Sequence, residues 1–157
     1  MASGPQLSSR LQVDSAVAWS PDGTTIAFRG GECESVFDDC LTVGEVASGR
    51  ERMVAAYGGG PEVRPGFAVI PAWRPDGAKL SWTGAVDGGP LGVTEAAADG
   101  AARRQVGVGQ DREMTYHDSR TGVLTSQHQG GSWVTLVNLR TGARSYLVKG
   151  SQPDAQD

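Results

Sequence analysis

The sequence predicts an all-β chain of repeated four-stranded sheets, and three observations carry that prediction. First, Ala18-Trp19-Ser20-Pro21-Asp22-Gly23-Thr24-Thr25-Ile26-Ala27-Phe28 returns as Ala72-Trp73-Arg74-Pro75-Asp76-Gly77-Ala78-Lys79-Leu80-Ser81-Trp82, an internal repeat that sets the architecture. Second, each copy reads as a strand ending in Trp, a tight turn on Pro-Asp-Gly and a second strand whose apolar residues alternate with small or polar ones. Proline presets φ at the first turn position, aspartate bonds its own backbone, and glycine accepts the left-handed conformation that closes the turn. Third, the 157 residues include 23 Gly and 8 Pro, with 38% hydrophobic side chains and no long segment of helical period, which suits one turn-rich domain. A chain of roughly 150 residues can bury about 70% of its unfolded surface, enough for a core.

The remaining elements follow in order. After the first hairpin, Cys40 to Val46, the turn Ala47-Ser48-Gly49 and Glu51 to Tyr57 supply two further strands. After the second, Leu91 to Ala96, the turn Ala98-Asp99-Gly100 and Ala102 to Val108 do the same. A third unit runs from Glu113 to His117, turns through Asp118-Ser119-Arg120-Thr121-Gly122, and continues as Val123 to His128, Ser132 to Asn138, the turn Arg140-Thr141-Gly142 and Arg144 to Val148. It lacks Pro-Asp-Gly, and either Tyr116 or His117 takes the place of Trp19 and Trp73.

The Trp-Ser-Pro-Asp-Gly turn leading into an Ile-Ala-Phe strand resembles the repeat of TolB-type, WD-like β-propellers, whose four-stranded blades stand around a central channel. The resemblance implies a six-bladed ring, of which this chain supplies a three-bladed half over residues 13–149, with blades at about 13–57, 66–108 and 111–149. Residues 1–12 are expected to form an amino-terminal arm or outer strand, and 150–157 a disordered tail. A lone half leaves an apolar face wet on its first and last blades. Two identical chains meeting about a twofold axis along the channel would cover both, so a homodimer is expected. The alternative is a piece of a longer propeller, with Ser8 to Val13 as the outer strand of a preceding blade.

Charge and composition exclude some partners. With 14 Lys+Arg against 18 Asp+Glu the net charge is −4, and no basic stripe interleaved with aromatics appears, which argues against nucleic acid. Arg103-Arg104, the densest basic spot, reads as a solvated outer strand. The longest largely apolar run, Gly66 to Trp73, contains Pro71 and is too short to span a bilayer, so no membrane insertion is expected; nor does Met1-Ala2-Ser3-Gly4-Pro5 have the character of a secretory leader. Cys33 and Cys40 flank a short loop whose closure by a disulfide stabilises by about 2.5 kcal/mol in the chain-entropy treatment. An oxidised pair points to an exported or cell-envelope protein, a reduced pair to the cytoplasm. No His or second Cys pair completes a metal-ligand set, and neither a metal nor a cofactor is expected.

Loop length marks where binding would sit. The first-to-second and third-to-fourth turns of each blade are tight and share one end of the molecule. At the other end Gly30 to Asp39, Gly58 to Gly66, Thr83 to Pro90 and Gly109 to Arg112 are longer and richer in Gly and charge, as binding loops on a rigid scaffold are. Candidate binding residues there are Arg29, Glu32, Glu34, Asp38, Asp39 and Arg64. Asp14, Arg112 and Glu113 fall in or beside inner strands and are candidates for the channel, joined by His117, whose plainer reading is a packing residue.

No catalytic constellation emerges. His117 and His128 stand at opposite ends of one hairpin, roughly 20 Å apart at about 3.3 Å per residue, too far to share a metal or a proton. No Gly-x-Ser-x-Gly elbow, phosphate-cradling glycine loop or zinc-spaced set occurs. Trp19, Trp73 and Trp82 read as blade-packing residues; Trp133 has no repeat equivalent, and its role is open. The expected function is a non-catalytic interaction module binding a protein partner through the long-loop face. The resemblance also implies an alternative, an enzyme or enzyme-accessory propeller that binds a small molecule or peptide in the channel.

Overall fold

The computed structural model describes residues 16–30, 39–57, 70–84 and 92–153. They form three four-stranded antiparallel sheets, each a meander in chain order. Blade 1 holds β1 (Val17–Trp19), β2 (Thr25–Arg29), β3 (Asp39–Glu45) and β4 (Glu51–Tyr57). Blade 2 holds β5 (Ala72–Trp73), β6 (Leu80–Gly84), β7 (Gly92–Ala96) and β8 (Arg104–Val106), and blade 3 holds β9 (Arg112–Tyr116), β10 (Thr121–His128), β11 (Gly131–Asn138) and β12 (Arg144–Lys149). The all-β, three-blade reading is therefore correct. No helix among the described residues is long and apolar enough to cross a membrane.

The repeated turns form for the reasons the residue types supply. Gly23 N donates to Ser20 O and Gly77 N to Arg74 O, and both glycines adopt a φ near +70°. The aspartates act as local acceptors: Asp22 Oδ1 takes Thr24 N at 3.0 Å, and Asp76 Oδ1 takes Ala78 N at 3.0 Å. In blade 3, Asp118 Oδ1 receives Arg120 N and Thr121 N at 2.6 and 2.7 Å and His117 N donates to Thr121 O at 3.0 Å, so a turn forms without Pro-Asp-Gly. The pairs Trp19↔Ile26, Trp73↔Leu80 and Tyr116↔Gly122 resolve the register of the third repeat. Tyr116 occupies the Trp position, and His117 falls in the turn.

Blade 2 lies between the other two, and period-2 alternation divides its side chains between two cores. Leu80, Trp82 and Ala96 pack against Ala27, Leu41, Val43, Val54 and Ala55 of blade 1, with Trp73 at the edge. Val93 and Val106 point the opposite way, into Met114, Tyr116, Leu124, Val137 and Leu139 of blade 3. Burial of Leu80 and Trp82, essentially complete, contributes about 25 cal/mol per Å² of apolar surface removed from water.

Polar ties cross both junctions. Trp73 Nε1 donates to Ala18 O at 3.1 Å, Arg52 Nη2 to Ala98 O at 3.0 Å and Arg103 Nη2 to Val54 O at 2.7 Å, joining blades 1 and 2. Arg104 Nη1 donates to Leu139 O at 3.0 Å and Glu113 N donates to Thr83 Oγ1 at 2.8 Å, joining blades 2 and 3, while Arg144 grips Asp111, just before β9, through two hydrogen bonds. Arg103 and Arg104 are thus not a merely solvated pair. Adjacent at the start of outer strand β8, they reach to opposite neighbours, and Arg103 also lies 5.5 Å over the Trp82 ring.

Candidate functional site

Two regions answer to the sequence expectations, the long-loop end of the blades and the inside of the arc. At the loop end of blade 1 the backbone is clamped before the long loop begins: Gly30 N donates to Cys40 O at 2.8 Å, and Thr42 Oγ1 donates to Gly30 O at 2.5 Å. Cys40 is fully buried, its Sγ 3.1 Å from the Gly30 carbonyl oxygen. Arg29 ends β2 beside this clamp, half-buried and opposite Leu41. Asp14, Glu32, Cys33, Glu34, Asp38, Arg64 and the side chain of Asp39 lie outside the described residues, and with them the Cys33–Cys40 bridge.

At the loop end of blade 3 three strands bring aromatic side chains together. His128 closes β10 and stacks on Tyr146 of β12, with ring centroids 3.8 Å apart and planes 11° from parallel. Trp133 of β11 meets both edge-on, at 5.8 Å from His128 and 6.3 Å from Tyr146. Lys149 Nζ sits 5.9 Å from the Trp133 ring centroid, and the indole Nε1 is buried with no hydrogen-bond partner. Tyr146, Leu147 and Val148 are exposed beside it. A stacked aromatic surface with a cation beside it suits a ligand that offers both apolar area and negative charge. Trp133 thereby gains a setting that its lack of a repeat equivalent left open.

The inside of the arc is lined by the first strand of each blade, β1 touching β5 and β5 touching β9. Between β5 and β9 lies a cleft of about 310 Å³ bordered by Ile70, Pro71, Glu113, Met114, Thr115 and Gln152. Glu113 adopts φ +57° at a β-bulge, where the pairing of β9 with β10 slips between Val123 and Thr125. Its carboxylate Oε2 accepts from Thr125 Oγ1 at 2.8 Å and from Gln152 N at 3.0 Å, so residues 150–153 turn back onto blade 3. Arg112 is its neighbour, with Nε buried and unpartnered.

His117 does not join them. It is exposed at the tight-turn end of β9, about 13 Å from Glu113 along the strand, and it enters neither core, because Tyr116 is the residue that packs. Burial, with the nearby Glu95 carboxylate second, pushes the Tyr116 phenol well above its ordinary range. The acid turn residues shift downward: hydrogen bonds from Ser20 and Thr24 lower Asp22, the Arg74 hydrogen bond lowers Asp76, and backbone donors at Arg120 and Thr121 lower Asp118. Among the described residues, no group of three or more His, Cys, Asp or Glu is placed to hold a metal ion.

Solved structures share this architecture. TolB from Acinetobacter baumannii matches with a TM-score of 0.67 at 18% identity, over 87% of this chain and 32% of that one. A putative TolB from Agrobacterium tumefaciens matches with a TM-score of 0.69 at 17% identity, over 92% of this chain and 52% of that one. A prolyl endopeptidase matches with a TM-score of 0.60 at 17% identity, over 87% of this chain and 22% of that one. The chain thus spans between about a fifth and a half of these structures, and what it shares with them is the TolB-like β-propeller fold. No protein-family profile matches the chain, and no curated protein does.

Proposed function

We propose that the chain is a propeller half that acts as a protein-interaction module through the long-loop end of its blades. The observation that carries this reading is the stack of His128, Tyr146 and Trp133 at that end, with Lys149 over the indole and exposed Leu147 beside it. Aromatic residues that present area at low entropic cost are the usual anchors of protein interfaces. The likeness to TolB structures supports the same direction at the level of fold. The test begins by identifying a partner by affinity capture and mass spectrometry, then measuring its dissociation constant against variants. Tyr146→Ala, Asp38→Lys and Arg64→Glu should each weaken binding at least tenfold with the melting temperature unchanged. Normal binding by all three overturns the reading.

The channel reading keeps one specific support, the 310 Å³ cleft lined in part by Glu113. A turnover or peptide affinity abolished by Glu113→Gln would establish it in place of the first. Two further elements belong to the proposal. The half-ring is completed by a second copy, and Cys33 and Cys40 are bonded, in keeping with an exported or cell-envelope protein. Thiol titration of denatured, unreduced protein then finds no free thiol; two reactive thiols would move the assignment to the cytoplasm.

A further inference from the structure

Position by position, the three repeats match the two faces left open among the described residues to faces that are covered. On the side of a blade that meets its predecessor, Trp73 and Tyr116 are packed; Trp19, their equivalent in blade 1, is 56% exposed. Trp73 Nε1 spends its hydrogen bond on Ala18 O of the preceding blade, whereas no described residue accepts from Trp19. On the side that meets the successor, the pairs Leu41↔Ala55 and Val93↔Val106 correspond to Val134↔Val148. The first four side chains are buried in the two inter-blade cores, while Val148 is 57% exposed.

A third correspondence concerns the hydroxyl seats. Thr83 Oγ1 of blade 2 accepts Glu113 N of blade 3, and Thr125 is the equivalent threonine one blade on. Its Oγ1 accepts Gln152 N at 3.0 Å, and Gln152 repeats the positive φ of Glu113, +56° against +57°. Blade 3 therefore carries the seat for an incoming first strand, filled by the chain's own Gln152.

We infer that the occupant of both faces is a second copy of this chain, with Trp19 of each copy anchored on Val134, Leu136 and Val148 of the other and its indole N–H directed at the carbonyl of Thr115, the equivalent of Ala18. The inference rests on the proposed pairing of two halves and specifies its seam. The same patch pair is used twice under one twofold rotation, so the assembly closes and exposes no further copy of either face. The partner's Ala16, three residues before Trp19 as Glu113 is three before Tyr116, takes the Thr125 seat, and Gly150–Pro153 yields it.

Sedimentation equilibrium across nanomolar to micromolar concentrations tests this on the full chain. The wild type should have twice the chain mass. Trp19→Ala and Val148→Asp should each raise the dissociation constant at least tenfold with an unchanged far-ultraviolet spectrum, Trp19→Phe should fall between them and wild type, and a chain ending at Gly150 should dimerise more tightly. A wild-type dimer indifferent to both Trp19→Ala and Val148→Asp overturns the seam while leaving a paired half-ring intact. A weaker dimer in the shortened chain overturns the competition at Thr125. A wild type that stays monomeric throughout overturns the second copy as occupant and leaves the faces to blades from another chain or a longer one, with the loop-end binding test unaffected.

Discussion

At the scale of single residues, the repeated turns show how little room the backbone leaves. Gly77 adopts φ +70°, with nothing closer than Pro21 Cδ at 4.0 Å to where a side chain would start, so the constraint on this position is conformational and not spatial. A β-branched side chain must then be held left-handed, which costs roughly 2 kcal/mol. Gly77→Val should lower the melting temperature by roughly 4–8 °C, as differential scanning calorimetry would show, while leaving surface binding intact. The turn aspartates predict an acid dependence. Asp22, Asp76 and Asp118 all have carboxyls lowered from an ordinary 3.8 in the folded chain, so the unfolded state binds protons more readily. Their contribution is complete above that ordinary value and is lost as pH falls through and below it. Urea midpoints measured from pH 6 down to pH 2 should decline over that interval. Asp76→Asn, which keeps an acceptor for Ala78 N but loses the charge facing Arg74, should shallow the decline; an unchanged slope would remove Asp76 from the account.

At the scale of elements, sequence and structure part company where a side chain's direction matters. The hairpins of blades 1 and 2 were legible because turn chemistry is local. Tyr116 was legible only as an alternative to His117, since a turn shorter by one residue moves the register and nothing local says which residue turns inward. β8 stops at Val106, short of the expected Val108, because Gly107 takes φ +81°, which carries the backbone out of the extended conformation a strand needs. The roles of Arg103 and Arg104 were hidden because their partners, Val54 O, Leu139 O and Glu95, come from other parts of the chain. Glu95 is the strongest case. It sits fully buried on β7, with Arg104 at 2.9 Å, Lys79 at 3.4 Å and Arg74 at 3.7 Å. Removing it leaves three cations facing a space shaped for a carboxylate. Glu95→Ala should therefore cost about 3 kcal/mol, at the low end for a broken buried pair because the cations reach water. Denaturant unfolding measures this, and a loss below about 1 kcal/mol would show the cluster to be structurally idle.

At the scale of the whole molecule, three blades were countable from the repeat, but the surface proposed for binding was not. In the His128–Tyr146–Trp133 stack, His128 and Trp133 lie five residues apart across the β10–β11 turn, but Tyr146 meets them only through the shifted register of β12, and the acidic loop lies outside the described residues. The order of the blades has a dynamic consequence. Among the described residues, blade 2 is packed on both faces and blades 1 and 3 on one each, so opening β6 or β7 means breaking two cores, whereas β12 can fray alone. In dilute protein, amide hydrogen exchange should be slowest across Leu80–Gly84 and Gly92–Ala96 and fastest in Arg144–Lys149, where Tyr146, Leu147 and Val148 are exposed. If a second copy covers blade 3, mass action adds protection that grows with concentration, and it should appear selectively in β12 and β1. Exchange measured at two concentrations either side of the dissociation constant separates this from ordinary fraying. Uniform slowing of all three blades would mean that the chain unfolds as a single unit, and β12 exchanging as slowly as β6 in the monomer would contradict the packing order on which the argument stands.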